Sequence, residues 1–585
     1  MNDFRYVAGF MRKHIKMYIF GIGLLMIIDA LQLMTPLIIG AFTDQLKAGT
    51  LTSGLTLKYI FYIMLIAVLV AIGRYGWRMT IVTTAKRLEY WLRNRVFEHF
   101  EKMSLNYFHH HKTGDLMAHC TNDISAIRNA FGGGVIMMVD AIFMGIMTIV
   151  LMIVKVDLKL TLIALIPMPL IAFFIITMGK KVRDRFKSVQ EAFSDLSDVA
   201  QENFSGVRII KSFIQEKPSL GHFNEKNHQV FRKNVKLAKL FGLVHPMVGF
   251  IAMMSTLIGM IYGGSLVLDG VITIGSFVAF LTYVGMLSWP MMALGFVYNQ
   301  LQRGQVSLRR INAILETPAE IVDGEVIDTL LEAYAVKPKL TLKDLTFTYP
   351  GAETPALKDI SFTVGEGETL AVVGKTGAGK TTLVNLLLKL YEVPEGKINL
   401  GDYDINQVPI KKIRDMIGYV PQDNFLFSKT VSYNIGFGRA DITQEEASHF
   451  AKIAHIHDEI MDFPKGYDTE LGERGVNMSG GQKQRVSIAR ALAKKPEILI
   501  LDDSLSAVDT KTEESILTHL KETLSQTTSI LIAHRISTIQ HADQIIVLED
   551  GAIAERGTHA ELLALNGLYA DMYSKQLLEE KLTEA

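Results

Sequence analysis

Six stretches of the chain are apolar with almost no polar interruption: about 17 to 42, 57 to 81, 133 to 155, 160 to 178, 241 to 265 and 272 to 297. Each is close to the roughly 20 residues that a helix needs to cross about 30 Å of hydrocarbon. Beyond about position 300 the pattern changes to short apolar runs of strand length, set between amphipathic and glycine-rich segments. The change divides the chain into an all-α membrane domain over 1–320, a linker over 321–339 and a soluble α/β domain over 340–585.

The connections between spans are unequal. Those after the first, third and fifth are short, whereas those after the second and fourth are long and basic, with KRLEYWLRNR and KKVRDRFK among them. Basic loops stay in the cytosol, so the N-terminus, both long loops and the C-terminal half are expected there, in a multi-pass protein of the cytoplasmic membrane. The long loops keep apolar residues at helical spacing and contain few Pro or Gly. They are expected to extend the spans out of the membrane and to reverse around 107–124 and 206–217, where another domain can be gripped. The N-terminal segment has no small-residue cleavage site after its first apolar stretch and reads as a retained lead-in to the first span.

Composition removes several classes. Lys and Arg together number 60, as do Asp and Glu, and this balance gives no case for a nucleic-acid partner. One cysteine, Cys120, excludes an internal disulfide and a thiolate metal cluster. The run His109–His110–His111 has no second ligand motif and reads as a solvated loop. Two acids fall within spans. A carboxylate in hydrocarbon normally faces a protein interior or a water-filled cavity, which makes Asp29 either a cavity-lining, substrate-sensing residue or a hydrogen-bond partner of a neighbouring helix; for Asp140 the structural role is favoured. Pro36, Pro167, Pro169, Pro246 and Pro290 are expected to bend spans.

The C-terminal half opens with the β-rich KLTLKDLTFTYP and continues into TLAVVGKTGAGKTTLVNLLLKL, an apolar strand, a glycine-rich turn and an amphipathic helix. Gly374, Gly379, Lys380 and Thr381 satisfy G-x-x-x-x-G-K-[ST] in its strand–loop–helix setting. Glycines let backbone N–H groups converge on phosphate oxygens, and the helix start adds positive potential. Lys380 reaches the β and γ phosphates, and Thr381 offers its hydroxyl to Mg2+. Thr376, Gly377 and Thr382 complete the nucleotide-binding loop. A phosphate loop alone leaves GTPases, kinases and ATPases open. NMSGGQKQRVSIARAL adds a second anion-binding helix start, and ILILDD delivers a carboxylate to the tip of a buried strand.

In this order and spacing the three motifs resemble the ATP-binding cassette family. With six spans ahead of one cassette, the whole chain resembles the half-transporter form of type I ABC exporters. That resemblance implies ATP and Mg2+ as cofactors and assigns further roles. Tyr349 in FTYP corresponds to the aromatic that stacks on adenine. Gln422 in YVPQD corresponds to the Q-loop glutamine, which touches magnesium and the attacking-water region. Asp502 corresponds to the carboxylate that holds magnesium, and His534 to the switch histidine near the γ phosphate. Ser479, Gly480, Gly481 and Gln482 correspond to the signature that closes on nucleotide held by a second cassette, and Asp509 to the loop that communicates across that dimer. One cassette per chain therefore implies a second half-transporter chain, with the segment around 206–217 crossing to grip the partner's cassette.

One position departs from the family pattern. After the magnesium-binding Asp, strongly hydrolytic members carry Glu as general base, whereas this chain carries Asp503. Shortening the side chain withdraws the carboxylate by about 1.5 Å, and a displacement of that order costs about 100-fold in rate. The expectation is the weak-site half of a bacterial heterodimeric multidrug exporter, presenting an intact signature to its partner's strong site. The alternatives are a homodimer with two slow sites, or a lipid or peptide exporter of the same architecture. Hydrophobic or cationic small molecules and membrane lipid complete the expected partners.

Overall fold

Each apolar stretch lies inside a helix much longer than a bilayer is thick. The computed structural model describes residues 4–323, 336–439, 441–505, 510–524, 527–533 and 535–584. Six helices are long and apolar enough to cross a membrane: α1 (Arg5–Lys47), α2 (Ser53–Glu101), α4 (Thr113–Lys155), α5 (Leu158–Ser205), α7 (Glu216–Leu268) and α8 (Ile274–Glu316). Their 43 to 53 residues correspond to about 65–80 Å of helix, so every span continues well past the hydrocarbon. The short helices α3 (Leu105–His110) and α6 (Val207–Ser212) stand at the two reversals. The first reversal is tighter than expected, because the chain is helical again from Thr113.

Two compact units result. One comprises Met1–Glu101 and Thr113–Thr317, and the other Lys102–Lys112 and Pro318–Ala585, so α3 groups with the C-terminal half.

In the first unit α1 and α8 meet at residues without side chains to keep them apart. A Cβ on Gly40 would lie 2.6 Å from the Gly275 carbonyl oxygen. Asp44 fixes this end, accepting from the Gly275 N–H at 2.7 Å and from the Thr273 hydroxyl at 2.7 Å. Further along, the buried Tyr283 donates to the Leu33 carbonyl at 2.7 Å. The prolines differ in effect. Pro36, Pro246 and Pro290 sit inside unbroken helices, whereas α5 is interrupted at Ile166–Pro167 and restarts at Met168.

Helix α4 contains two π-helical turns, His119–Asp123 and Ala130–Gly134. A π turn holds one more residue than an α turn and disturbs the regular carbonyl ladder, so carbonyls there look for other donors. Neighbouring helices supply them. Arg93 Nε of α2 donates to the Cys120 carbonyl at 3.3 Å, Gln300 Nε2 of α8 to the Asn129 carbonyl at 2.7 Å, and Tyr18 Oη of α1 to the Phe131 carbonyl at 3.1 Å.

The second unit is built on two sheets. A six-stranded sheet has the order β10-β9-β3-β8-β7-β6, from β3 (Thr369–Gly374), β6 (Ile417–Val420), β7 (Ile498–Asp502), β8 (Thr528–Ile532), β9 (Gln544–Glu549) and β10 (Ala552–Gly557); its pairings are parallel except β9 with β10. A four-stranded antiparallel sheet orders β1 (Leu340–Phe347), β2 (Leu357–Val364), β4 (Ile398–Leu400) and β5 (Tyr403–Asp404) as β2-β1-β4-β5. The central strands are apolar at consecutive positions because both faces are covered. Leu499 and Leu501 point into one core, with Ile488 and Val486, and Ile498 and Ile500 into the other, with Leu383 and Leu386.

Candidate nucleotide-binding site

The phosphate loop leaves the end of β3. Gly374, Gly377 and Gly379 have φ of 154°, 86° and 98°, the left-handed region that favours glycine. A Cβ on Gly374 would lie 2.3 Å from the Leu548 carbonyl oxygen, so β9 leaves no room for any other residue there. Thr376 and Gly377 are exposed at the crest of the loop, and α9 (Lys380–Leu387) begins immediately after Gly379 with Thr381 exposed in its first turn.

Lys380 is buried and lies back along its own loop, donating to the Gly374 carbonyl at 2.7 Å and to the Lys375 carbonyl at 3.0 Å. Burial holds its ammonium below the usual lysine value of 10.5, opposed by the negative charges of Asp502 and Asp503. Both adjacent aspartates therefore act on the phosphate-loop lysine. Tyr349 donates its hydroxyl to Thr382 Oγ1 at 2.9 Å, so its ring is tied to α9. Edge contacts to Phe347 and Tyr391, each with centroids 5.1 Å apart, hold that ring from two sides.

Asp502 ends β7 with 2% of its surface exposed. Asp503 follows at φ 47°, a conformation that Asp tolerates better than most residues. Its N–H donates to the Ile532 carbonyl at 2.8 Å, so the backbone is fastened to β8 and cannot advance to compensate for a short side chain. Gln422, which follows β6, places Nε2 3.4 Å from Asp503 Oδ2. Sequence reasoning thus grouped Gln422, Lys380, Asp502 and Asp503, and the structure brings them together. Asp509 and His534 lie outside the described residues.

The signature segment starts α10 (Gly480–Ala493). Ser479 caps it: its Oγ accepts from the Gln482 N–H at 3.2 Å, while Gln482 Oε1 accepts from the Ser479 N–H at 2.9 Å. Ser479 and Gly480 are exposed, and Gly481 and Gln482 half-buried. Glu459 secures the turn from behind, accepting from Gln482 Nε2 at 2.8 Å and pairing with Arg485 at 2.7 Å. Sequence reasoning missed Glu459 and Tyr391, which touch Gln482 and Tyr349 respectively from distant positions. His109 is exposed, in keeping with the solvated reading, and its Nδ1 also lies 3.2 Å from the hydroxyl of the buried Tyr391, while Leu105 packs on the same core. No cluster of His, Cys, Asp and Glu able to hold a metal occurs among the described residues.

Models of two families match the chain, the ABC transporter transmembrane region over residues 18–291 and the ABC transporter over residues 357–506. The probable multidrug resistance ABC transporter ATP-binding/permease protein YheI of Bacillus subtilis (strain 168) is 41% identical over 573 residues, covering 98% of this chain and 97% of that protein. This chain is a member of the ABC transporter family. As a half-transporter it carries one transmembrane region and one ATPase domain, and it is an ATP-hydrolysing transporter. The multidrug resistance-like ATP-binding protein MdlA of Escherichia coli (strain K12) is 37% identical over 585 residues, covering 100% of this half-transporter and 98% of that relative. Among solved structures, a bacterial Atm1-family ABC exporter with ATP bound superposes with a TM-score of 0.80 at 28% identity, covering 97% of this chain and 98% of that one.

Proposed function

We propose that this half-transporter exports hydrophobic and cationic drugs as one half of a heterodimer in a bacterial cytoplasmic membrane. Its own nucleotide site is the weak one, and Ser479 to Gln482 complete the partner's strong site. The observation that carries the asymmetry is Asp503, held by its backbone to Ile532 and one methylene short of the usual base. The exposed signature supports the pairing, because a capped helix start facing solvent suits nucleotide on another chain. In this reading the N-terminus, both reversals and the cassette are cytosolic. Asp29 belongs to the substrate pathway, and the named multidrug relatives favour drugs over lipid or peptide as cargo.

In ATP binding Tyr349 stacks on adenine, and the loop from Gly374 to Thr382 holds the phosphates. Gln422 and His534 flank the reacting γ phosphate, with Asp509 signalling to the other cassette. Thr381, Gln422 and Asp502 would hold Mg2+ through the oxygen ligands it prefers, and the bound ion would supply neutralisation of the phosphate charge. Exposed Phe425, Tyr433 and Phe437 form an aromatic patch on the cassette, and exposed Ile209, Phe213 and Ile214 crown α6. These surfaces support the reading in which the 206–217 segment of one chain grips the cassette of the other.

Native mass spectrometry of the complex extracted from its own membrane tests this directly. A one-to-one complex with a second half-transporter carrying Glu after its magnesium-binding Asp is expected. A stable, active homodimer would overturn the heterodimer reading.

A further inference from the structure

Two acids on different helices each follow a member of one apolar cluster of the membrane unit. Leu25 and Ile28 of α1, Val70 and Trp77 of α2 and Ile136 and Val139 of α4 pack together, with Asp29 following Ile28 and Asp140 following Val139. Asp29 is 2% exposed, and its Oδ2 accepts no hydrogen bond. Leaving a buried carboxylate oxygen unpartnered in apolar surroundings is expensive. Asp140 is within electrostatic reach of it, adding a second negative charge where one is already costly.

Positive charge from the protein does not close this account. Arg74 is within electrostatic reach of Asp29, yet it is exposed and forms no ion pair with either acid among the described residues. Asp140 has one firm partner: Trp289 of α8 donates Nε1–H to its Oδ2 at 2.9 Å. That bond orients an indole that is half exposed, and an indole face is the best aromatic surface for a cation. An apolar wall, an aromatic face and two acids at one place suit a ligand with spread positive charge and apolar flanks. A small hydrated metal ion would instead require several oxygen ligands, and the indole supplies none.

We propose that Asp29, Asp140 and Trp289 form a seat for a monovalent lipophilic organic cation. The cation rests on the Trp289 face beside Asp140, and its charge is answered by Asp29. The proposal rests on the export reading above and names the substrate class that the membrane unit prefers. Asp29 discriminates by charge, while the apolar cluster accepts many shapes, so the seat selects cations without selecting one molecule.

The test uses the full-length purified dimer in inverted vesicles, with ethidium as the monovalent cation and Nile red as a neutral dye. Asp29→Asn and Asp140→Asn are expected to raise the KM for ethidium at least about tenfold while Nile red transport stays within about twofold. Asp29→Glu, which keeps the charge, is expected to restore ethidium transport. Trp289→Phe keeps an aromatic face and is expected to impair ethidium less than Trp289→Ala. Equal loss of both dyes at equal protein level and equal ATPase rate, or unchanged ethidium transport, would overturn the proposal. If the unaltered dimer moves neither dye, the export reading fails rather than the seat. Equilibrium binding of radiolabelled tetraphenylphosphonium to detergent-purified dimer then decides: loss of binding in Asp29→Asn supports the seat, and retained binding overturns it.

Discussion

Gln422 and Asp503 face each other, with Nε2 of the amide 3.4 Å from Oδ2 of the carboxylate. A residue two positions past β6 thus addresses the residue that follows β7, and the charge of Asp503 acts on the phosphate-loop lysine. Because the Asp503 backbone is fixed by its bond to Ile532, lengthening the side chain is the direct way to reach farther. Asp503→Glu is expected to raise hydrolysis at this chain's site by about 10- to 100-fold. Single-turnover ATPase of a complex whose partner base is changed from Glu to Gln isolates this site and reads the gain.

Glu459 predicts a different signature of damage. It holds Gln482 and Arg485 but is remote in sequence from the phosphate loop. Glu459→Ala is expected to lower steady-state turnover of the dimer by about tenfold through a loosened signature turn. ATP affinity of this chain, measured by equilibrium binding, is expected to stay unchanged.

The π turns of α4 give a test of coupling. Gln300→Leu removes the donor to the Asn129 carbonyl and is expected to cost about 1–2 kcal/mol of stability. ATP hydrolysis is expected to continue while transport per ATP falls, because the helix leaving the first reversal loses its fixed register. Parallel ATPase and uptake measurements on the same vesicles give the ratio.

Lys380 supplies a pH dependence. Burial lowers its pKa from 10.5, so its proton is lost at a lower pH than that of a solvated lysine. ATP affinity, which uses the charged amine, is expected to weaken as pH rises toward 10.5. Nucleotide-free stability is expected to move the other way. Between the lowered value and 10.5 the unfolded chain binds more protons than the folded one, so stability rises with pH in that window. Nucleotide titration and denaturant midpoints over pH 7 to 10.5 check both directions, and Lys380→Met is expected to remove the two trends together.

The reach of the sequence differs between the two halves. Six spans and their helical extensions were legible because an apolar run of membrane length admits almost no other structure. The phosphate loop, β7 and the signature were legible because the chemistry of phosphate binding restricts residue types at fixed short spacing. Glu459, Tyr391 and the contact of the exposed His109 with Tyr391 were not legible, since each joins residues far apart in the chain and carries no local pattern. The π turns were invisible for a related reason: AFGGG shows a weak helix, but not which neighbour will satisfy its carbonyls.

The central claim is that this chain supplies a weak site of its own and a working signature to a strong one. ATPase activity of the purified complex carrying Asp503→Asn here, compared with the complex carrying Glu→Gln in the partner, tests it most directly, provided both retain ATP binding. Removing an efficient general base typically costs 100-fold or more, and the account predicts that loss for the partner variant alone. Gly480→Glu in this chain is predicted to reproduce it, since Gly480 stands exposed at the signature turn. Abolition of hydrolysis by Asp503→Asn, with activity untouched by Gly480→Glu, would contradict the account.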